Sequence, residues 1–239
     1  MIICEDIKRL ELIAKKTREK IIETSLIVGR AHPASSLSLV EILVTAFGGG
    51  FFPIPNKSSG YNRHLVFSKA HGILAFYCLL ESLGFLTDKD LNNFKANSEK
   101  TLPPEPNPTT IPFAGPATGP LGGGLAFSAG AHLASQVTDS KPPKTLLILG
   151  DGEFQKGQVL EALGYTAKIN YKNLTAVVDC NGLQLDGKTS SVTRMSIEKI
   201  FNANGWDTQR VDGHNILDLH AAFSWATSSR RQQLSWLKP

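Results

Sequence analysis

The chain has 239 residues, of which 41% are apolar, enough for a sizeable core in one large domain. Twenty-five Lys and Arg against 21 Asp and Glu leave a net charge of only +4, with the basic residues scattered, which argues against a nucleic-acid partner. Three widely spaced cysteines (Cys4, Cys78, Cys180) make neither a disulfide framework nor a CxxC metal pair, and no apolar run nears the roughly 18 residues that cross a membrane.

At the N-terminus a short apolar run precedes the charges, and no small-residue cleavage site follows. No secretory signal is read there, and a cytoplasmic protein is expected. Over residues 5–28, Ile7, Leu10, Ala14, Thr17, Ile21 and Leu26 recur at helical spacing, with Gly29 as a stop. "SLSLVEILVTAFGGG" reads as a second helix ended by glycines. The two make an N-terminal helical arm over about 1–50.

"HLVFS", 64–68, is a short strand. A helix through "ILAFYCLLESLG" follows, then one through "DKDLNNFKAN" capped by Thr87 or Asp88. Residues 102–120 are crowded with prolines, which cannot sustain a regular element; a loop that long in a compact domain suggests a role. "LGGGLAFSAGAHLASQ" restarts as a helix of small residues. Strand 145–149, helix 154–169, strand 174–179, helix 196–203, strand 206–211 and helix 215–227 then alternate. That order predicts an α/β fold, a doubly wound, mostly parallel sheet flanked by helices, in a single domain spanning 1–239.

Two strand ends carry the chemistry. "TLLILGDGEFQKGQVLEAL", 145–163, stops an apolar run at Asp151 between two glycines. "LTAVVDCNGLQLDG", 174–187, stops another at Asn181. In open parallel sheets ligands sit beyond the carboxyl ends of the strands. The segment after Gly152 offers backbone N–H groups to a phosphate, and a carboxylate with an amide oxygen suits a hard cation such as magnesium. Read singly, Asp151 also fits a helix cap and Asn181 a turn. "GDGEFQ" has two glycines of a dinucleotide fingerprint but Gln155 at the third, so that signal is weak.

The pair GDG…N, 30 positions from Asp151 to Asn181, resembles the thiamine-diphosphate motif of the transketolase superfamily. "RAHPASSLSLVEIL", "HLVFSKAHGILAFYCLLESLGF", "ATGPLGGGLAFSAG" and "VDGHN" resemble transketolase segments reading GHPGGSLS, FVLSKGHAAPALYA, TTGPLGQGISNAVG and VDGHD, in the same order from about residue 7 to 220. The likeness is to the diphosphate-binding (PP) N-terminal part, as found in transketolases split over two chains. It implies thiamine diphosphate with magnesium, or another divalent ion such as calcium or manganese. Asp151, Asn181 and the Leu183 carbonyl would hold the metal. His71, Gly119, Leu121, Gly152 and Glu153 would join them around the cofactor, and Leu121 would pack on the aminopyrimidine. His32 and His71 are the implied catalytic residues, with His32 facing the sugar substrate.

Three departures stand out against the family. Lys156 occupies a position that is usually acidic and takes part in subunit contact. Glu105 falls where a donor-binding His stands. The sequence ends at Pro239, before the expected cofactor loop; "QQLSWLKP" would begin the strand that leads to it. The resemblance therefore implies a ketol-transferring subunit that works with a separate pyrimidine-binding chain, two copies of each. The alternatives are deoxyxylulose-phosphate-synthase-like chemistry, 2-oxoacid decarboxylation, or a non-catalytic scaffold.

Overall fold

A computed structural model describes residues 4–29, 31–54, 64–95, 101–111, 115–116, 118, 120–138, 143–185, 187–228 and 233–238. The chain separates into two compact units. One comprises residues 1–62, 70–117 and 213–221; the other comprises 63–69, 118–212 and 222–239.

The first unit is helical. Its long α1 (Cys4–Val28) buries Leu10, Ala14, Thr17, Ile21 and Thr24, one face at steps of three and four. Leu26, expected on that face, is 80% exposed instead. It lies two residues past Thr24, and two residues turn an α-helix by about 200°, to the far side. Gly29 ends α1 in the left-handed region, φ 65°.

The expected second helix is three pieces: α2 (Pro33–Leu37), α3 (Val40–Leu43) and a π-helical turn, Val44–Gly48. Arg18 on α1 grips Glu41 through Nε at 3.0 Å and donates to the Leu37 carbonyl at 3.2 Å. His214 Nδ1 lies 2.9 Å from the same carboxylate. α4 (Ile73–Ser82) follows, then α5 (Asp88–Asn92), opened by a reciprocal cap between Thr87 and Asp90. α5 is shorter than the predicted helix. Beyond Asn93 the backbone turns to pair with Leu102, and Lys95 N donates to the Leu102 carbonyl at 2.9 Å.

The second unit holds the sheet. α6 (Gly123–Val137) precedes β2, and β1 (Leu65–Phe67), β2 (Thr145–Gly150) and β3 (Leu174–Asp179) are adjacent. α7 (Gly157–Ile169) links β2 to β3. A small hairpin, β4 (Leu183–Gln184) and β5 (Gly187–Lys188), is followed by α8 (Thr189–Val192), α9 (Ile197–Ala203), β6 (Asp207–Asp212), α10 (Ile216–Ser228) and β7 (Gln233–Lys238). All pairings in the five-stranded sheet are parallel, in the order β1-β2-β3-β7-β6. The α/β reading and the strand within "QQLSWLKP" are both observed.

β2 and β3 are buried along their whole length, which is why they read as unbroken apolar runs. Phe201 on α9 sits in this core, its ring 5.5 Å from Phe154 and edge-on to Trp206 at 5.1 Å. Phe201→Ala should therefore cost about 3–5 kcal/mol. Urea unfolding would read this as a lowered midpoint; a loss under about 1 kcal/mol would contradict the packing described.

Candidate functional site

The sheet register sets where the polar residues lie. Phe67 pairs with Ile148 and Gly150 with Asp179, so β1, β2 and β3 end along one edge. Ser68 and Lys69 follow β1, Asp151 follows β2, and Cys180 and Asn181 follow β3. The sequence puts Asp151 and Asn181 beyond the ends of separate strands, and the structure shows those strands to be neighbours.

Asp151 is half-buried. Its Oδ1 accepts from Gly152 N at 2.8 Å, and its Oδ2 accepts from Gly182 N at 2.9 Å and Thr189 Oγ1 at 3.4 Å. Burial raises its pKa, while the Gly182 and Gly152 N–H groups oppose the rise and Asp179 adds to it. Asn181 Oδ1 accepts from Leu183 N at 2.9 Å. Three side-chain oxygens and several N–H donors thus share one loop cluster and satisfy one another. A cation could take the oxygens while a phosphate takes the donors, in exchange for the bonds they make to one another.

Among the described residues no cluster of three or more His, Cys, Asp or Glu could hold a metal. A cation at Asp151 would therefore need Asn181, a carbonyl and the phosphate itself to complete its shell, which is the habit of magnesium. The residues present fit a metal–diphosphate unit.

The 3₁₀ turn Asp151–Gln155 and an extended Lys156 precede α7, so the helix expected from 154 begins at Gly157. Glu153 causes the delay: its carboxylate folds back onto Gly150 N at 3.1 Å. It also accepts from Ser68 Oγ at 3.0 Å and Gly122 N at 3.1 Å, and it is 3% exposed. Burial pushes its pKa up to about 6.

Leu121 is half-buried and its carbonyl accepts from Gln158 at 2.9 Å; Gly119 lies outside the described residues. A cavity of about 600 Å³ opens beside Asp151, lined also by Cys180, Thr189, Arg194 and Arg210, and one of about 560 Å³ lies beside Leu121 and Lys156. Gln155 borders both, and its amide pairs with that of Gln184.

In the helical unit, His32 and His71 meet edge-on with ring centroids 4.9 Å apart. His32 precedes Pro33 at the start of α2; His71 lies in the short turn before α4. Partial burial, then the charge of Lys95 and then His71, lower the His32 pKa, so the ring is neutral at pH 7. Glu105 is exposed in the Pro-rich stretch.

The sequence reading missed Lys69 and Asp179, which form a buried ion pair between the ends of β1 and β3. A signal was available. An Asp that closes an apolar strand, as in "LTAVVD", must find a cation when buried, and "HLVFSK" ends a neighbouring strand with one.

Residues 12–236 match the family described as transketolase, thiamine diphosphate binding domain. Human transketolase is 30% identical over 227 residues, covering 93% of this chain but 36% of its own length. An apulose-4-phosphate transketolase subunit of Phocaeicola vulgatus is 29% identical over 221 residues, covering 91% of this chain and 77% of its own length. The transketolase structure from Campylobacter jejuni superposes with a TM-score of 0.83 at 25% identity, over 100% of this chain and 38% of that one. The chain thus spans about a third of the full-length transketolases it resembles.

Proposed function

The chain belongs to the transketolase thiamine-diphosphate-binding family, and from that premise we propose that it is the diphosphate-binding subunit of a two-chain, transketolase-like enzyme of the cytoplasm. The observation that carries this reading is the placement of Asp151 and Asn181 at the carboxyl ends of adjacent parallel strands. The likeness to the Phocaeicola vulgatus relative, itself named as one subunit of a transketolase, extends over most of that relative's length and supports the split arrangement.

Asp151, Asn181 and the Leu183 carbonyl would hold magnesium, and Gly152 N would turn to the diphosphate. Leu121 and Gly119 would meet the aminopyrimidine, and His71 the reacting end. When bound, thiamine diphosphate supplies the nucleophilic carbon that carries a two-carbon ketol unit from a ketose to an aldehyde. His32, neutral at pH 7, would accept and return protons at the sugar's hydroxyls. A separate pyrimidine-binding chain would complete the site in an assembly of two copies of each.

The test is ketol transfer by the pure chain, alone and with its partner chain. Turnover is expected only with both; full turnover by this chain alone would sink the two-chain proposal.

Glu105 would bear on the donor. An imidazole both donates and accepts hydrogen bonds, whereas a carboxylate only accepts, and it repels a nearby anion. Glu105→His should therefore shift preference toward phosphorylated ketoses in a donor panel run with the partner chain. Identical donor profiles for the two proteins would remove Glu105 from the substrate site.

A further inference from the structure

Glu153 joins the two stretches that the proposed function assigns to opposite ends of the cofactor. One carboxylate oxygen accepts from Gly150 N at 3.1 Å, the residue before Asp151. The other accepts from Gly122 N at 3.1 Å, the residue after Leu121, and from Ser68 Oγ at 3.0 Å. The same Ser68 oxygen accepts from Gly124 N at 3.3 Å, inside the first turn of α6.

Gly122 has little freedom of its own. It sits at φ 94°, and a Cβ there would meet Gln158 and Val159 at 2.9 Å. Every donor around Glu153 is an N–H or O–H aimed at it, and only an acceptor-only group can answer all three.

Resting on the functional reading above, we propose that Glu153 is a positioning residue, a buried carboxylate bridge that fixes the spacing between the Asp151 end and the Leu121 end of the cofactor cradle. It does this without touching the cofactor, because its carboxylate is buried and held on both oxygens by the protein. An amide cannot replace it. In Glu153→Gln the carbonyl oxygen goes to the side with two donors, Gly122 and Ser68. The NH2 group then faces Gly150 N, donor against donor. The bridge opens at the β2 end while each end keeps its own ligands.

The experiment uses the full chain and two variants, E153Q and S68A. Its first readout needs no cofactor: amide hydrogen exchange over residues 120–124 and 148–152. E153Q should speed exchange at 148–152 by at least about tenfold. S68A keeps both backbone bonds to Glu153 but deprives Gly124 N of its acceptor, so it should speed exchange at 120–124 only. Unchanged exchange in both variants would overturn the bridge.

The second readout compares affinity for magnesium thiamine diphosphate with affinity for magnesium pyrophosphate. Loss of groups that orient a metal or cofactor site typically costs about 10–100-fold. E153Q should weaken the whole cofactor by that much and pyrophosphate about tenfold less, because only the whole cofactor reaches both ends. S68A, which also serves if E153Q does not fold, should show the same split at smaller size. Equal losses for the two ligands would mark a merely structural role and overturn the proposal. If the wild-type chain, tested with its partner, binds neither ligand, the functional reading fails, and the exchange data alone decide the bridge.

Discussion

Asp151→Ala is expected to abolish magnesium-dependent binding of thiamine diphosphate, a loss of more than about 100-fold. Even outer partners of a metal site typically cost 10–100-fold when removed, and Asp151 is the proposed direct ligand. The fold should survive. The carboxylate lies on a loop beyond β2, and its removal frees Gly152 N and Gly182 N, groups beside solvent-reachable backbone. A cost of about 1–3 kcal/mol is the ceiling for that. Asp151→Asn separates the two effects, since it keeps an acceptor for Gly182 N but lacks the charge. Calorimetric titration with magnesium and cofactor, beside circular dichroism, reads both. Affinity equal to wild type in either variant would remove Asp151 from the metal site.

His32→Ala is expected to lower ketol-transfer turnover by about 10²–10⁴, the usual range for a lost general acid–base group, with cofactor affinity unchanged. The His32–His71 contact makes the control informative. His71 is proposed to lie against the cofactor, so His71→Ala should weaken cofactor binding, while His32→Ala should leave it alone. Because the rings touch, the double variant should not show the sum of the single effects. Turnover within about threefold of wild type would make His32 a turn residue ahead of Pro33 and nothing more.

Most of the sheet was legible because β2 and β3 are buried on both faces, and such strands announce themselves as apolar runs closed by polar residues. The helix starts were not. α7 begins after a turn that exists because Glu153 folds back onto Gly150, and nothing in "GDGEFQKG" distinguishes that from an ordinary first helical turn. The stretch after Ser36 looked like one helix because its apolar content is high throughout. It breaks at Ser38 and Leu39 and widens to a π turn at Val44, choices set by packing rather than by local propensity. At the site, Asp151 and Asn181 could be found because they interrupt apolar strands beside glycines. The contacts of Glu153 with Ser68 and Gly122 link residues 85 and 31 positions apart, and pairings at that range leave no local pattern.

The ion pair between Lys69 and Asp179 leaves the floor of the cradle with a sign. Three carboxylates, Asp151, Glu153 and Asp179, gather at the ends of β2 and β3, and Lys69 neutralises one of them. In the proposed function a bare diphosphate would be repelled by the two carboxylates that Lys69 does not neutralise and drawn by Arg194 and Arg210, which line the cavity beside Asp151. At about 8 Å and an effective dielectric of 20, each unmatched pair of unit charges costs about 2 kcal/mol. Chelation to a divalent cation removes much of that repulsion and offers Asp151 an attractive partner. On that reading the carboxylates would make the floor an ionic sieve, favouring phosphate esters that carry their own counter-ion over the same esters without it.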